Sequence, residues 1–242
     1  MMELTLLGTG CPKVDYKRFG PANLISTKMA NILVDCGSGI TQRLDQIKIS
    51  TANIDALFLT HLHSDHVIDL YQLIISSWHS YKMNPWKIYG PKGTKKFVKK
   101  LMNTWKDERE LRIKYEARQS IEAFKINVIE FGSIGNISIK DIKVRYFEEI
   151  INSNKTTDLI DYFYKTQKYE LFFLIGADNL IKFHKWYKWK NILKKSKLIV
   201  FDRHGYKKSS LNSKTYKNFT SKTVIFIEFN KVNISSSQLR KI

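Results

Sequence analysis

Three imidazoles and a carboxylate fall within the seven-residue stretch THLHSDH, residues 60–66. The donors are His61, His63, Asp65 and His66. Imidazole and carboxylate suit zinc, manganese or iron. The His-x-His-x-Asp-His spacing lets a folded loop turn one His pair and one Asp/His pair toward two neighbouring ions. Paired ions of that kind clamp a phosphate or a carbonyl and activate water near neutral pH. Two ions need more ligands than this loop holds, so the chain must supply others further on.

The loop has to be positioned by what flanks it. IDALFLT, residues 54–60, reads as an apolar strand that ends where the histidines begin. Residues 67–80 read as a helix with Val67, Leu70, Leu73, Ile74 and Trp78 on one face. Upstream, ELTLLGTG (3–10) and NILVDCGSG (31–39) are strands running into glycine turns. Downstream, WKIYGPKGT (86–94) is a strand into a turn, followed by a basic helix. Residues 104–120 form an exposed charged helix, and INVIEF (126–131) and ISIKDIKVRYF (137–147) are strands, the second with alternation. After INSNK (151–155) come a helix at 156–167, a buried strand at 170–178, a Trp- and Lys-rich helix at 179–195, and apolar runs at 197–203 and 223–229. Those runs are of the kind found in parallel sheets. ISSSQLRKI (234–242) opens with serines suited to a helix N-cap. Strand–helix alternation throughout places the chain in the α/β class.

The 242 residues fit one or two domains, and 43% hydrophobic with 13% aromatic residues is a globular composition. No apolar run approaches the ~18–20 residues of a membrane span. Glu3 near the start and the lack of a basic opening give no sign of a leader. Cys11 and Cys36 form neither a C-x-x-C pair nor a disulfide framework, so a reducing, cytoplasmic setting is expected. The net charge of +19 favours anionic partners, a nucleotide or RNA, although a Lys-, Ile- and Asn-rich chain also carries the bias of AT-rich codons. The charge is uneven. Residues 1–150 hold 22 basic and 16 acidic side chains, whereas residues 151–242 hold 19 and 6. Two units are expected, 1–150 and 151–242.

GTGCP (8–12), LVDCGSG (33–39), LTHLHSDH (59–66) and IYGPKGT (88–94) together resemble the metallo-β-lactamase superfamily, and most of all its ribonuclease Z-like phosphodiesterases. The resemblance covers residues 2 to about 147. It implies that His61 and His63 bind a first metal, that Asp65 and His66 bind a second, that Asp65 also lies near the attacking water, and that Asp35 orients ligands. It also implies a later histidine for the first ion, a bridging aspartate and a final histidine. Only His79, His184 and His204 follow the motif, and His79 comes too early in the chain. Each ion is thus left with two protein ligands, where catalytic zinc usually keeps three.

LIGADN (174–179), FHKWYKW (183–189), VFDRHGYKK (200–208) and NISSSQLR (233–240) resemble the C-terminal half of bacterial nicotinate-nucleotide adenylyltransferase. That enzyme class joins nicotinate mononucleotide to the adenylyl part of Mg-ATP. Adenylyl transfer rests on positioning and on stabilising phosphate charge. Ser235 and Ser236 at a helix start suit an anion, and Arg240 supplies a cationic fork. The resemblance implies ribose contacts from Gly176 and Asp178, stacking of Trp186 on the nicotinate ring with Tyr187 beside it, and a substrate contact from Arg203. The H-x-G-H nucleotide loop of that family is not in the sequence.

The expected architecture is therefore a truncated metallo-β-lactamase-like αββα half followed by the C-terminal half of a Rossmann-like nucleotidyltransferase. Each half is expected to expose apolar sheet surface. Three functions stay open: a metal-dependent phosphodiesterase using zinc, manganese or iron, an adenylyltransferase using Mg-ATP, and a non-catalytic product of a fusion or a join. A homo-oligomer stays open as well.

Overall fold

The computed structural model describes residues 2–10, 18–131, 136–145, 151–153, 155–166, 170–202, 205–219 and 223–227. The chain divides into two compact units, Met1–Tyr146 and Phe147–Ile242.

The first unit is built on a six-stranded sheet of order β1-β2-β3-β4-β5-β6: Glu3–Gly8, Ala22–Ser26, Asn31–Val34, Ala56–Phe58, Trp86–Gly90 and Ile126–Glu130. β1, β2 and β3 pair antiparallel, and β3 through β6 pair parallel. The parallel strands are short and apolar because both of their faces are covered, as parallel sheets require. On one face Leu33, Leu57 and Ile88 pack with Ile40 and Leu44 of α1 (Ile40–Gln46), with Leu70, Leu73 and Ile74 of α3 (Leu70–His79), and with Val98 of α4 (Thr94–Thr104). A short α2 (Ser64–Val67) precedes α3, and α5 (Lys106–Glu116) buries none of its residues.

The opposite face was expected to be bare, and it is not. Ile32, Ala56, Phe58 and Tyr89 lie under Ile137, Ile139 and Ile142. Those isoleucines belong to a hairpin, β7 (Asn136–Ile139) and β8 (Ile142–Arg145), with Ile139 opposite Ile142. The single alternating strand expected at 137–147 is thus two strands. The break falls at Lys140, which turns left-handed (φ 52°). The turn is held in place from both sides. The Thr27 hydroxyl donates to Asp141 Oδ1 at 2.8 Å, and Lys140 Nζ meets Asp55 Oδ1 at 2.7 Å.

The second unit carries a parallel three-stranded sheet of order β11-β10-β9, from β9 (Phe172–Gly176), β10 (Lys197–Phe201) and β11 (Val224–Ile227). Its helices are α6 (Thr156–Thr166), α7 (Ala177–Lys182), α8 (Trp189–Lys195), α9 (Lys207–Leu211) and α10 (Lys214–Lys217). Ile175, Leu198, Val200 and Val224 form one core with Ile160, Leu180, Phe183, Ile192 and Leu193. Alternate residues face the other way, and there Phe172, Leu174 and Ile225 are exposed. α6 and α8 are clamped through Asp161, which accepts from Asn191 Nδ2 at 3.0 Å and from Lys195 Nζ at 2.7 Å. The one helix expected at 179–195 is two α-helices with a 3₁₀ turn, Phe183–Lys185, between them. Lys188 in the left-handed region (φ 49°) resets the chain direction before α8.

Candidate metal centre

Two adjacent parallel strands place the histidine loop. β3 ends at Val34 and β4 at Phe58, and both deliver their next residues at the carboxyl end of the sheet, where loops of open α/β sheets collect functional groups. Asp35 N–H still donates to Phe58 O at 2.8 Å, and Leu59 N–H to Tyr89 O at 2.7 Å, so both loops leave rigid pairing. Asp35 then turns left-handed (φ 62°), a conformation that Asp tolerates better than most residues. Main-chain bonds dock the histidine turn onto this loop: Cys36 N–H donates to His66 O at 2.8 Å, and Asp69 N–H to Cys36 O at 3.2 Å. Asp69 in turn accepts from the Thr41 N–H and hydroxyl, both at 2.7 Å, which anchors α1. Gly37 permits the close approach. A Cβ there would sit 2.5 Å from Gly20 C and 2.6 Å from Asp65 O.

The Asp35 carboxylate is buried and gathers three donors. Thr60 N–H donates to Oδ1 at 2.8 Å. The Thr60 hydroxyl lies 2.9 Å from Oδ1 and 2.8 Å from Oδ2. His66 Nδ1 lies 2.8 Å from Oδ2. With a carboxylate as partner, His66 Nδ1 carries the proton and Nε2 carries the lone pair. Thr60 Oγ1 is also 3.0 Å from His61 Nδ1.

His61, His63 and His66 form one ring cluster, with His61 centroids 4.6 Å from His63 and 4.0 Å from His66. His63 sits at the N-cap of α2 and is exposed, and Asp65 lies in the first turn, its Oδ2 3.7 Å from His66 Nε2. The structure brings all four motif residues together. Among the described residues no three His, Cys, Asp or Glu side chains are arranged as a metal cage. The donor set fits a transition metal by type, with three imidazoles, one carboxylate and a buried carboxylate behind them. Among the described residues that set offers four donors, two for each of two ions, where catalytic zinc usually keeps three.

His79 is not a further ligand. Its Nε2 is 3.0 Å from Glu116 Oε2 and its Nδ1 is 2.9 Å from Ile75 O. Cys36 is free and fully buried, and its thiol is pushed well up, first by burial and then by the charges of Asp69 and Asp35. A thiol held neutral in this way is a core residue rather than a ligand or nucleophile. Thr60 is the residue the sequence reading missed. Its signal was its place directly before the first histidine, at the end of an apolar strand.

In the second unit Gly176 ends β9, opposite Phe201, which is itself opposite Ile227, so the three carboxyl ends are level. Asp178 lies in the first turn of α7, and its Oδ1 would stand 2.5 Å from a Cβ at Gly176. Trp186 is half-buried against Phe183 and Phe173, with ring centroids 5.0 and 6.0 Å away. Tyr187 is exposed, with Lys155 Nζ 5.0 Å and Lys188 Nζ 5.1 Å from its ring. Gly176 and Asp178 are therefore brought together, whereas Trp186 is engaged with the core. Arg203, Ser235, Ser236 and Arg240 lie outside the described residues.

An α/β sheet with a His-x-His-x-Asp-His loop at its carboxyl edge is the architecture of metallo-β-lactamase fold proteins. The protein YhfI of Bacillus subtilis, described as having that fold, superposes with a TM-score of 0.59 at 16% identity, covering 93% of this chain and 95% of its own. The short form of human tRNase Z gives 0.54 at 16% identity, covering 94% and 96%. A family model described as "Anti-Pycsar protein Apyc1" matches residues 2–180, and the chain belongs to that family. The match runs past residue 147, where the first resemblance was expected to end, and into the second unit. Among curated relatives, a "probable nicotinate-nucleotide adenylyltransferase" of Pelagibacter ubique is 61% identical over 101 residues, 42% of this chain and 56% of that protein. Ribonuclease Z of Mycolicibacterium gilvum is 42% identical over 108 residues, 43% of this chain and 38% of that protein. The chain thus spans about half or less of the length of these relatives. No helix among the described residues is long and apolar enough to cross a membrane.

Proposed function

We propose that the first unit is a metal-dependent phosphodiester hydrolase site for RNA or a nucleotide. The observation that carries this reading is the three-imidazole cluster set over a buried Asp35 at the carboxyl ends of β3 and β4. His61 and His63 would hold one ion, and Asp65 and His66 a second, of the zinc, manganese or iron class. When bound, such an ion supplies Lewis-acid stabilisation of phosphoryl charge. The chain's own contribution is orientation: Asp35 fixes the His66 ring, and Asp65, its Oδ2 3.7 Å from His66 Nε2, is the acid–base candidate. The excess of basic side chains in residues 1–150, 22 against 16 acidic, favours a polyanionic substrate. Metal analysis of the purified protein together with hydrolysis of an activated phosphodiester and of RNA tests the reading. Bound transition metal and turnover that His63→Ala removes are expected. A metal-free protein that gains no activity on reconstitution overturns it.

A second reading rests on the 61% identity to the adenylyltransferase relative and on Gly176 and Asp178 at the end of β9. In it, residues 151–242 are half of a Rossmann-like nucleotidyltransferase that binds Mg-ATP and nicotinate mononucleotide. Formation of deamido-NAD from those two substrates supports it, and none at high enzyme concentration dismisses it. The third reading, a non-catalytic fusion or join, predicts neither turnover. Single DNA molecules read in frame through the codons for residues 135–165 decide whether the two units are one gene product.

A further inference from the structure

We propose that Thr60 is a positioning residue that extends the orienting effect of Asp35 to a second histidine, so that one buried carboxylate fixes the tautomers of both His66 and His61. The argument is a count of protons. A threonine hydroxyl has one proton to donate and two acceptor sites, and a carboxylate only accepts. Thr60 Oγ1 lies within 2.9 Å of both oxygens of Asp35. Two acceptors at that distance repel unless a proton lies between them, so the hydroxyl proton points at Asp35. What Oγ1 then presents to His61 Nδ1, 3.0 Å away, is a lone pair. His61 Nδ1 must therefore donate, and its Nε2 is left with the lone pair. His66 reaches the same state directly, through Nδ1 at 2.8 Å from Asp35 Oδ2.

The two routes differ in their protection from water. Asp35 is buried, whereas Thr60 is exposed and its hydroxyl competes with solvent. Three features keep the relay in place. Thr60 N–H donates to Asp35 Oδ1 at 2.8 Å and so fixes the backbone beside the carboxylate. Leu59, one residue earlier, is completely buried. The β-branch of Thr60 restricts χ1, so the hydroxyl has few other directions to take. The relay also explains why the residue before the first histidine carries a hydroxyl. An apolar residue of the same shape would continue the strand equally well, but would leave the His61 tautomer to solvent.

The consequence for a metal deepens the proposed hydrolase site and rests on it. The tautomers themselves do not, because they are set with no metal bound. The test is therefore made on metal-stripped protein. The ring ¹⁵N shifts of His61 and His66 are measured in the wild type, Thr60→Val and Thr60→Ser, at a pH where both imidazoles are neutral. The expected wild-type pattern is protonated Nδ1 at both histidines. Thr60→Val keeps the backbone bond to Asp35 and removes the hydroxyl, with its donation to Asp35 and the relay to His61. His61 should move toward the Nε2-protonated form that an unconstrained imidazole favours, while His66 stays as it was. Thr60→Ser should restore the wild-type pattern. An unchanged His61 in Thr60→Val overturns the proposal. So does a change at both histidines, which would mean that Thr60 holds the loop rather than the ring, and so does a serine variant that behaves like valine. A cobalt titration of the same proteins reads the consequence: Thr60→Val should bind about tenfold more weakly, the lower end of what loss of such an orienting partner costs. A wild type that binds no cobalt defeats the hydrolase reading and leaves the tautomer result standing.

Discussion

Replacing Asp35 by Asn isolates the charge at the centre of the candidate site. Asn has the same shape and tolerates the left-handed backbone (φ 62°) that this position requires, so strain is not a variable. The carboxylate accepts from Thr60 N–H, the Thr60 hydroxyl and His66 Nδ1, all at 2.8–2.9 Å. The amide oxygen can keep the Thr60 N–H. The amide nitrogen then faces His66 and donates where acceptance was required, so His66 has to exchange its tautomer and present a protonated Nε2. Bonds to a charged acceptor contribute about 1 kcal/mol more than neutral ones, so three of them amount to a loss of about 3 kcal/mol. With a urea dependence of about 2 kcal/mol per molar, the midpoint falls by about 1.5 M. Hydrogen exchange at the amides of β3 and β4 across a urea series reads this locally, because those strands flank Asp35. Asp35→Ala should cost about 1 kcal/mol more, since it adds left-handed strain. A loss under ~0.5 kcal/mol for Asp35→Asn would mean that the carboxylate is well solvated and does not organise the loop, and the orienting argument would fail with it.

Three other perturbations probe the same framework. Gly37→Ala puts a Cβ 2.5 Å from Gly20 C and 2.6 Å from both Asp65 O and Pro21 N, all of them main-chain atoms. The loop must move, and a loss of about 2 kcal/mol with displaced ring resonances of His66 is expected, read by denaturation and NMR. Ile139→Ala, under the sheet face that carries Phe58 and Tyr89, should cost about 3 kcal/mol in the same assay, whereas a hairpin merely resting on the surface would cost little. Lys82 is buried, donates to Ala52 O at 3.2 Å and Ile54 O at 2.7 Å, and burial lowers its ammonium to about 8. Between pH 8 and 10 the unfolded chain therefore holds more protons at this residue than the folded one, so Lys82 contributes a rise of stability with pH of at most about 2 kcal/mol, against a fall from the buried Cys36 thiol, whose proton the folded chain keeps after the unfolded chain has lost it. Tyr71, pushed up to about 12 first by burial and then by Glu108, works the other way only above pH 10. Urea unfolding across that window should show the stability difference between wild type and Lys82→Met shifting by that amount in favour of the wild type as the pH rises.

What could be read from the sequence depended on whether a signal was local. The histidine loop was legible because ligand type, spacing and the strand before it all lie within about ten residues. β3, β4 and β5 were legible as apolar runs. The β7–β8 hairpin was not: the alternation slips by one residue at Lys140-Asp141, from Ile137 and Ile139 to Ile142 and Val144, but no Gly or Asn marks the turn. Its fixing contacts, Thr27 to Asp141 and Asp55 to Lys140, join residues far apart in sequence. Without the hairpin the second sheet face appeared bare, and the expectation of exposed apolar surface followed. In the second unit, one face of β9–β11 does leave Phe172, Leu174 and Ile225 exposed. The split of 179–195 was hidden because Trp and Lys are compatible with helix, whereas the chain leaves helical geometry at the extended Trp186 and re-enters it after the left-handed Lys188. Thr60 was overlooked because a hydroxyl is not a metal donor of the expected kind. Its role appears only once Asp35, 25 residues earlier, is placed beside it.

Orientation and completion of the candidate site separate along the chain. Each hydrogen bond described for the His61 and His66 rings is to Asp35 or Thr60, the two residues that leave β3 and β4. β3 and β4 are adjacent and parallel, and the Cys36–His66 and Asp69–Cys36 main-chain bonds tie their loops together. Nothing in that set comes from beyond residue 69. By the resemblance, the ligands that would raise each ion from two protein donors to three come from beyond residue 147. A histidine pair whose tautomers are fixed locally binds a metal with the entropy of ring orientation already removed, but each missing donor still subtracts its own bond. The proposed centre should therefore bind transition metals weakly and in the intrinsic order manganese, iron, zinc, from weakest to tightest, because ligand geometry, which would override that order, is the part not supplied by the loop. Competitive titration with the three metals measures this directly. Tight binding, or a preference for manganese or iron over zinc, would mean that further donors close the site, and would point to ligands outside residues 35–69.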